Sequence, residues 1–144
     1  MGKPPLPSIE AFPLRAIDTI RYADTDRQGH VNNAAFATFC ETGRVAFLYD
    51  PERPFAPPGS AFVIVRLLVE FHAELTWPGQ VEIGSRVTAI GRSSMTFAQG
   101  LFQNRTCAAT AETVIVLMDE ATRRSRPLPD ALVKVLAAVR DGQV

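Results

Sequence analysis

The chain of 144 residues is 47% hydrophobic, a size and apolar content that suit one domain around a single core, spanning 1–144. Fifteen basic and fifteen acidic residues cancel, so no overall field draws the chain to nucleic acid or to an anionic membrane surface. No window of about 18 apolar residues occurs, and residues 1–12 lack the apolar run of a signal peptide, which predicts a cytoplasmic protein with no membrane span.

Pro4, Pro5, Pro7 and Pro13 make residues 1–14 an extended N-terminal arm, and residues 16–22 read as a short strand rich in β-branched side chains. From 31 to 48 there is no proline, and apolar residues cover nearly all of a helical wheel, leaving Thr38, Glu41, Thr42 and Arg44 as a narrow polar stripe. Such a helix is expected to be surrounded by protein, with Asn32 or Asn33 capping its first turn. Four prolines and Gly59 make residues 49–60 a stiff loop. The period then changes to two: Val63, Val65, Leu67, Val69, Phe71, Ala73 and Leu75 alternate with Arg66, Glu70, His72 and Glu74, which predicts a long half-buried strand. Three more strands follow at 81–90, 94–103 and 107–118, joined by short turns that favour antiparallel hairpins. Residues 129–144 hold an amphipathic helix at 130–140 and a tail. The fold class is therefore α+β, an antiparallel sheet of about five strands wrapped around a long central helix.

Chemistry concentrates between the first strand and the helix, in the run Arg21 to Asn33, which sets carboxylates beside a helix start whose first N–H groups have no partner and carry partial positive charge. Donors of that kind can stabilise an oxyanion, and a nearby carboxylate can attack or activate water. The competing structural reading is a type I turn, because Asp26 at its first and Gly29 at its fourth position suit one. Cys40 and Cys107 show neither paired spacing nor an activating His and are read as buried free thiols. His72 has no ligand spacing around it, so no metal is predicted. Neither a serine elbow nor a Ser-His-Asp arrangement is present.

The pattern Tyr-x-Asp-x-Asp-x-x-Gly-x-Val-x-Asn, at Tyr22, Asp24, Asp26, Gly29, Val31 and Asn33, resembles the 4-hydroxybenzoyl-CoA thioesterase-like branch of the hotdog-fold superfamily. Glu41-x-x-Arg44, the run Phe71 to Leu75 before Pro78-Gly79, and Arg92-Ser93-Ser94 extend the likeness from about residue 15 to Pro129. The resemblance implies hydrolysis of an acyl-CoA thioester with no cofactor, coenzyme A being part of the substrate. It makes Asp26 the catalytic carboxylate, as nucleophile or as general base, and Asp24 a structural neighbour. At Asn33 it implies a backbone N–H that polarises the thioester carbonyl. Gly29, His30, Glu41, Arg92 and Ser93 are the matching substrate-binding positions, with His30 a candidate auxiliary base and Glu41 a candidate contact for the polar end of the acyl group. Arg92, Arg105, Arg123, Arg124 and Arg126 supply cations for coenzyme A phosphates. A homodimer, or a homotetramer of paired dimers, is implied, with active sites shared between subunits. The alternatives are a hotdog dehydratase or hydratase, which needs a His and a carboxylate facing one carbon framework and for which only His30 offers the His, and a non-catalytic acyl-binding module.

Overall fold

The computed structural model describes residues 4–142, so residues 1–3 of the predicted arm and 143–144 of the tail lie outside it. Strands β1 (Leu14–Ile20), β2 (Ser60–Phe71), β3 (Gly79–Ile90), β4 (Ser94–Gln103) and β5 (Thr106–Asp119) form one antiparallel sheet in the order β1-β3-β4-β5-β2. Helix α1 (Asn33–Leu48) lies across one face. Its buried side chains Phe36, Phe39 and Cys40 meet Val81, Ile83, Leu101 and Ala109 in the main core. Helix α2 (Asp130–Arg140) closes the other end of the molecule, where Leu132, Leu136 and Val139 join Phe47 of α1 and Met95, Phe97 and Leu117 of the sheet. The strands alternate their side chains between the two faces, and the face under α1 carries mostly apolar ones.

The arm is not extended throughout: Ile9–Ala11 forms a 3-10 turn, and β1 starts at Leu14, two residues before the expected strand. Phe12 then lies on the sheet's outer face, over Gly84 and Gly100, which are directly opposed on β3 and β4. Tyr22, expected at the end of the first strand, belongs instead to a second 3-10 turn, Tyr22–Asp24.

The predicted alternation of β2 holds for only part of its length. The register slips between Ile64 and Arg66, so Phe62, Ile64, Leu67, Val69 and Phe71 oppose the inward Leu117, Ile115, Thr113, Ala111 and Ala109. A bulge inserts one residue, and with a side-chain period of two the inward set shifts from even to odd numbers across it. Val63 and Val65 therefore do not face the helix, and the strand ends at Phe71, four residues short of the predicted end. It is an edge strand with Ile64, Val65, Leu67, Leu68 and Phe71 exposed.

Helix α1 is not surrounded on all sides within one chain. Ala34, Thr38, Glu41 and Val45 lie in a line at helical spacing and are all exposed, with Glu41 and Val45 beside Phe62 and Ile64 of β2. Arg44, predicted on the polar stripe with Glu41, turns inward instead and is 4% exposed.

Candidate active site

The segment between β1 and α1 folds as a tight hairpin pinned at both ends. Thr25 and Val31 pair across it, and His30 pairs with Thr76 of the segment leading to β3. At its tip the Asp26 backbone N–H donates to His30 O at 2.8 Å and the Gly29 N–H to Asp26 O at 3.3 Å. Gly29 takes φ +78°, a left-handed conformation that glycine adopts without a Cβ clash. Asp26 Oδ1 accepts from the Gln28 N–H at 2.8 Å and the His30 N–H at 3.2 Å. Oδ1 thus holds the turn, while Oδ2, without a partner among the described residues, is presented on an exposed loop.

Asp24 is tied into the same loop differently. Its carboxylate accepts from the Arg21 backbone N–H at 2.8 Å and from the Arg21 guanidinium at 3.2 and 3.3 Å, while its own carbonyl takes the Asn32 N–H. Burial works to raise the Asp24 carboxyl, but the Arg21 N–H and guanidinium outweigh it and hold the group below the ordinary carboxylate range. Both carboxylate oxygens of Asp24 are engaged in shaping the loop, whereas Asp26 keeps one oxygen free.

Asn32 caps α1, its side chain accepting from the Ala34 N–H at 3.0 Å, and Asn33 is the first helical residue. The Asn33 N–H has no acceptor among the described residues, as expected of a helix start. His30 is one-third exposed, with Nε2 3.0 Å from Glu74 Oε2. Tyr22 and Trp77, in edge contact with centroids 5.2 Å apart, lie beside the loop, and the Trp77 backbone N–H donates to Gly29 O at 3.3 Å.

Other predicted site residues lie elsewhere in the chain. Arg92 and Ser93 occupy the β3–β4 turn, at the end of the sheet opposite Asp26, with their carbonyls taking the Leu128 and Leu117 N–H groups. Along β3 the two ends are separated by roughly 35 Å, so one chain does not bring these groups together. Arg123, Arg124 and Arg126 follow β5 at the Arg92 end, where Arg126 lies 4.0 Å from Asp119. Arg105 is at the Asp26 end but pairs with Glu10 of the arm.

Glu41 is exposed on α1, has no ion-pair partner among the described residues, and lines a cavity beside Arg44. Arg44 instead reaches Gln99 Oε1 at 3.3 Å and Thr113 Oγ1 at 3.4 Å, and Gln99 Nε2 donates to Cys40 O at 2.9 Å and Ser85 Oγ at 3.0 Å. Burial lowers the Arg44 guanidinium from its usual range, with Cys40 and Glu41 opposing. Burial likewise pushes the Cys40 thiol up to about 11 and raises Cys107, which leaves neither as a ready thiolate. Sequence reasoning missed Gln99 and Thr113, although their signal was present: both fall on inward positions of β4 and β5, between apolar neighbours on the same face. Among the described residues no three His, Cys, Asp or Glu side chains gather as a metal site.

Glu41, Arg44, Leu48, Phe62, Ile64 and Ile115 line a cavity of about 140 Å³ that opens between α1 and β2. Asp26, Arg27 and Gln28 border a shallow surface depression of their own.

A five-stranded antiparallel sheet curled on a long helix, with a carboxylate loop at the start of that helix, defines the hotdog class. Residues 20–136 match the thioesterase-like superfamily, and the chain belongs to it. It is 27% identical over 118 residues to the acyl-CoA thioester hydrolase YbgC of Escherichia coli, covering 79% of this chain and 88% of that one. Identity to the 1,4-dihydroxy-2-naphthoyl-CoA hydrolase of Synechococcus elongatus is 29% over 118 residues, covering 78% and 87%. Among solved structures, a thioesterase from Thermus thermophilus complexed with coenzyme A and Zn superimposes with a TM-score of 0.78 at 28% identity, over 92% of this chain and 97% of that one.

Proposed function

We propose that this protein hydrolyses an acyl-CoA thioester to a carboxylic acid and free coenzyme A, with Asp26 as the catalytic carboxylate. The observation that carries the reading is the free oxygen of Asp26 on the hairpin that leads into α1, whose first N–H, that of Asn33, has no acceptor among the described residues. A thioester carbonyl directed at the helix start gains negative charge as it is attacked, and the Asn33 N–H with the α1 dipole stabilises that charge. Asp26 either adds to the carbonyl carbon, forming an anhydride that water then cleaves, or takes a proton from a water that attacks directly. In both routes the C–S bond breaks, and the sulfur leaves as thiolate and is protonated. The relatives' activities on coenzyme A thioesters and the Thermus thermophilus complex with coenzyme A support coenzyme A as the carrier. A dehydratase would need a histidine and a carboxylate facing one carbon framework; His30 and Glu74 pair at 3.0 Å, and the relatives' hydrolase activities favour hydrolysis over that alternative.

The functional unit in this reading is a cytoplasmic homodimer joined along β2. A two-fold axis that sets one strand edge against itself reverses the strand direction, so the Phe71 end of one copy meets the Ser60 end of the other. The Phe71 end carries the Asp26 hairpin, through contact of Phe36 with Phe71 at 5.0 Å. At the Ser60 end are the Glu41–Arg44 cavity and the turns bearing Arg92, Ser93, Arg123, Arg124 and Arg126. Pairing thus completes each site with groups that one chain holds far apart.

The test is thiol release from a panel of acyl-CoA esters by wild type and Asp26→Asn, which keeps shape and removes charge. The variant is expected to lose about a hundredfold or more in kcat/KM. Equal rates would return Asp26 to a turn residue. Heavy oxygen appearing in the Asp26 carboxylate after one turnover in labelled water marks the nucleophilic route.

A further inference from the structure

Among the described residues, the hydrogen bonds that tie the Asp26 hairpin to the sheet all go to one segment, residues 72–77 between β2 and β3. The Val31 N–H donates to Leu75 O at 2.8 Å and the Trp77 N–H to Gly29 O at 3.3 Å. A single polar side-chain contact crosses the same gap, His30 Nε2 to Glu74 Oε2 at 3.0 Å. The other side-chain hydrogen bonds of residues 21–32 stay within that loop or reach the first turn of α1. Glu74 stands on a firm base. The His72 and Ala73 N–H groups both donate to Ala108 O, Leu75 is fully buried, and Thr76 exchanges hydrogen bonds with the Gln103 side chain at 2.9 and 2.8 Å. On the other side of the contact, His30 holds Asp26 with both of its backbone groups, the carbonyl taking the Asp26 N–H and the N–H going to Asp26 Oδ1.

We propose that Glu74 is a positioning residue for the reaction: it fixes the His30 ring, and through the His30 backbone it fixes the direction in which Asp26 Oδ2 points. This assignment rests on the reading of Asp26 as the catalytic carboxylate and adds to it a residue from outside the hairpin and the helix start. The His30 side chain is one-third exposed and that of Glu74 two-thirds, so the pair adds little to stability. Orientation is the more demanding quantity, since misplacing a reacting group by about 1 Å can cost about a hundredfold in rate. The contact therefore shows in turnover before it shows in melting. It needs only an acceptor at position 74, because an imidazole can present an Nε2–H whether neutral or charged.

The experiment uses the full chain and the acyl-CoA ester it turns over best. Glu74→Ala is expected to lower kcat about fivefold, the rate equivalent of a partly exposed pair at the upper end of its strength, with KM and melting temperature nearly unchanged. Glu74→Gln keeps an acceptor and is expected to restore most of that loss. In a His30→Ala background, which keeps both backbone bonds to Asp26, Glu74→Ala is expected to cost nothing further, because the contact is already gone. An unchanged kcat in Glu74→Ala, a loss that the Gln variant fails to restore, or equal losses in the two backgrounds overturns the assignment while the hydrolase reading stands. Exchange of the His30 N–H with solvent, followed by NMR, is a readout that needs no turnover. That group donates to Asp26 Oδ1, and Glu74→Ala is expected to speed its exchange about fivefold. Should no ester turn over, the hydrolase reading falls and exchange alone decides. Faster exchange then keeps Glu74 as the group that holds the hairpin, and unchanged exchange removes it.

Discussion

Gly43 sits where α1 comes closest to the sheet. A Cβ there would lie 2.5 Å from Ile83 Cγ2 and 2.9 Å from Gln99 Nε2. Helix propensity alone favours alanine by up to about 1 kcal/mol, whereas overpacking a filled core costs about 1–3 kcal/mol. Packing is the larger effect, because the intruding methyl also disturbs the Gln99 bonds to Cys40 and Ser85. Gly43→Ala is therefore expected to lower the melting temperature in calorimetry, and an unchanged or higher value would refute this account. At the surface, Glu10 behaves differently. Its hydrogen bond with Arg105, helped by its own backbone N–H and Ser8, lowers its carboxyl from 4.5 to about 2. A carboxyl lowered on folding contributes stability that is complete above the unfolded value and is lost as pH falls toward the folded one. Glu10→Gln should thus narrow the difference in melting temperature between neutral pH and pH near 3; the same acid sensitivity in the variant would remove Glu10 as its source.

At the level of elements, most of the architecture was legible because periodicity reports which face is buried. The strands 81–90 and 94–103 appear with near-identical bounds as β3 and β4, and α2 appears at the predicted residues. Where legibility failed, a cause can be named. The bulge at Val65 leaves no mark in an apolar run in which either parity offers a valine or isoleucine, so the odd-numbered set was assigned inward along the whole of β2. Likewise the apolar wheel of α1 predicts burial all round, but cannot say whether the cover comes from the same chain or from another. Arg44 misled for a related reason: an arginine near Glu41 reads as surface, and only inward Gln99 and Thr113, far away in sequence, make its burial tolerable. The hairpin of Asp26 was the clearest signal, since turn, cap and helix start are all local in sequence.

On the scale of the whole molecule, the exposed edge of β2 and the α1 residues Glu41 and Val45 beside it present a largely apolar surface of the kind that a partner covers. Leu67 is at its middle, exposed enough that a lysine can reach water without disturbing the core. Leu67→Lys is expected to sediment as a folded monomer and to lose thioester hydrolysis together with the dimer. A variant that stays dimeric, or a monomer that keeps full activity, would contradict a site shared across β2.

The placement of Phe12 bears on how dimers of the proposed kind could stack. With the Phe12 ring seated over Gly84 and Gly100, the arm roofs the outer surface of β3 and β4, where Ile9 and Phe12 pack with Phe102 and Cys107 of the sheet. A second sheet laid against this side is kept off those strands by the thickness of the arm. Its footprint would be confined to the bare remainder, which carries Leu68, Glu70, Thr110 and the ion pair of Arg66 with Glu112.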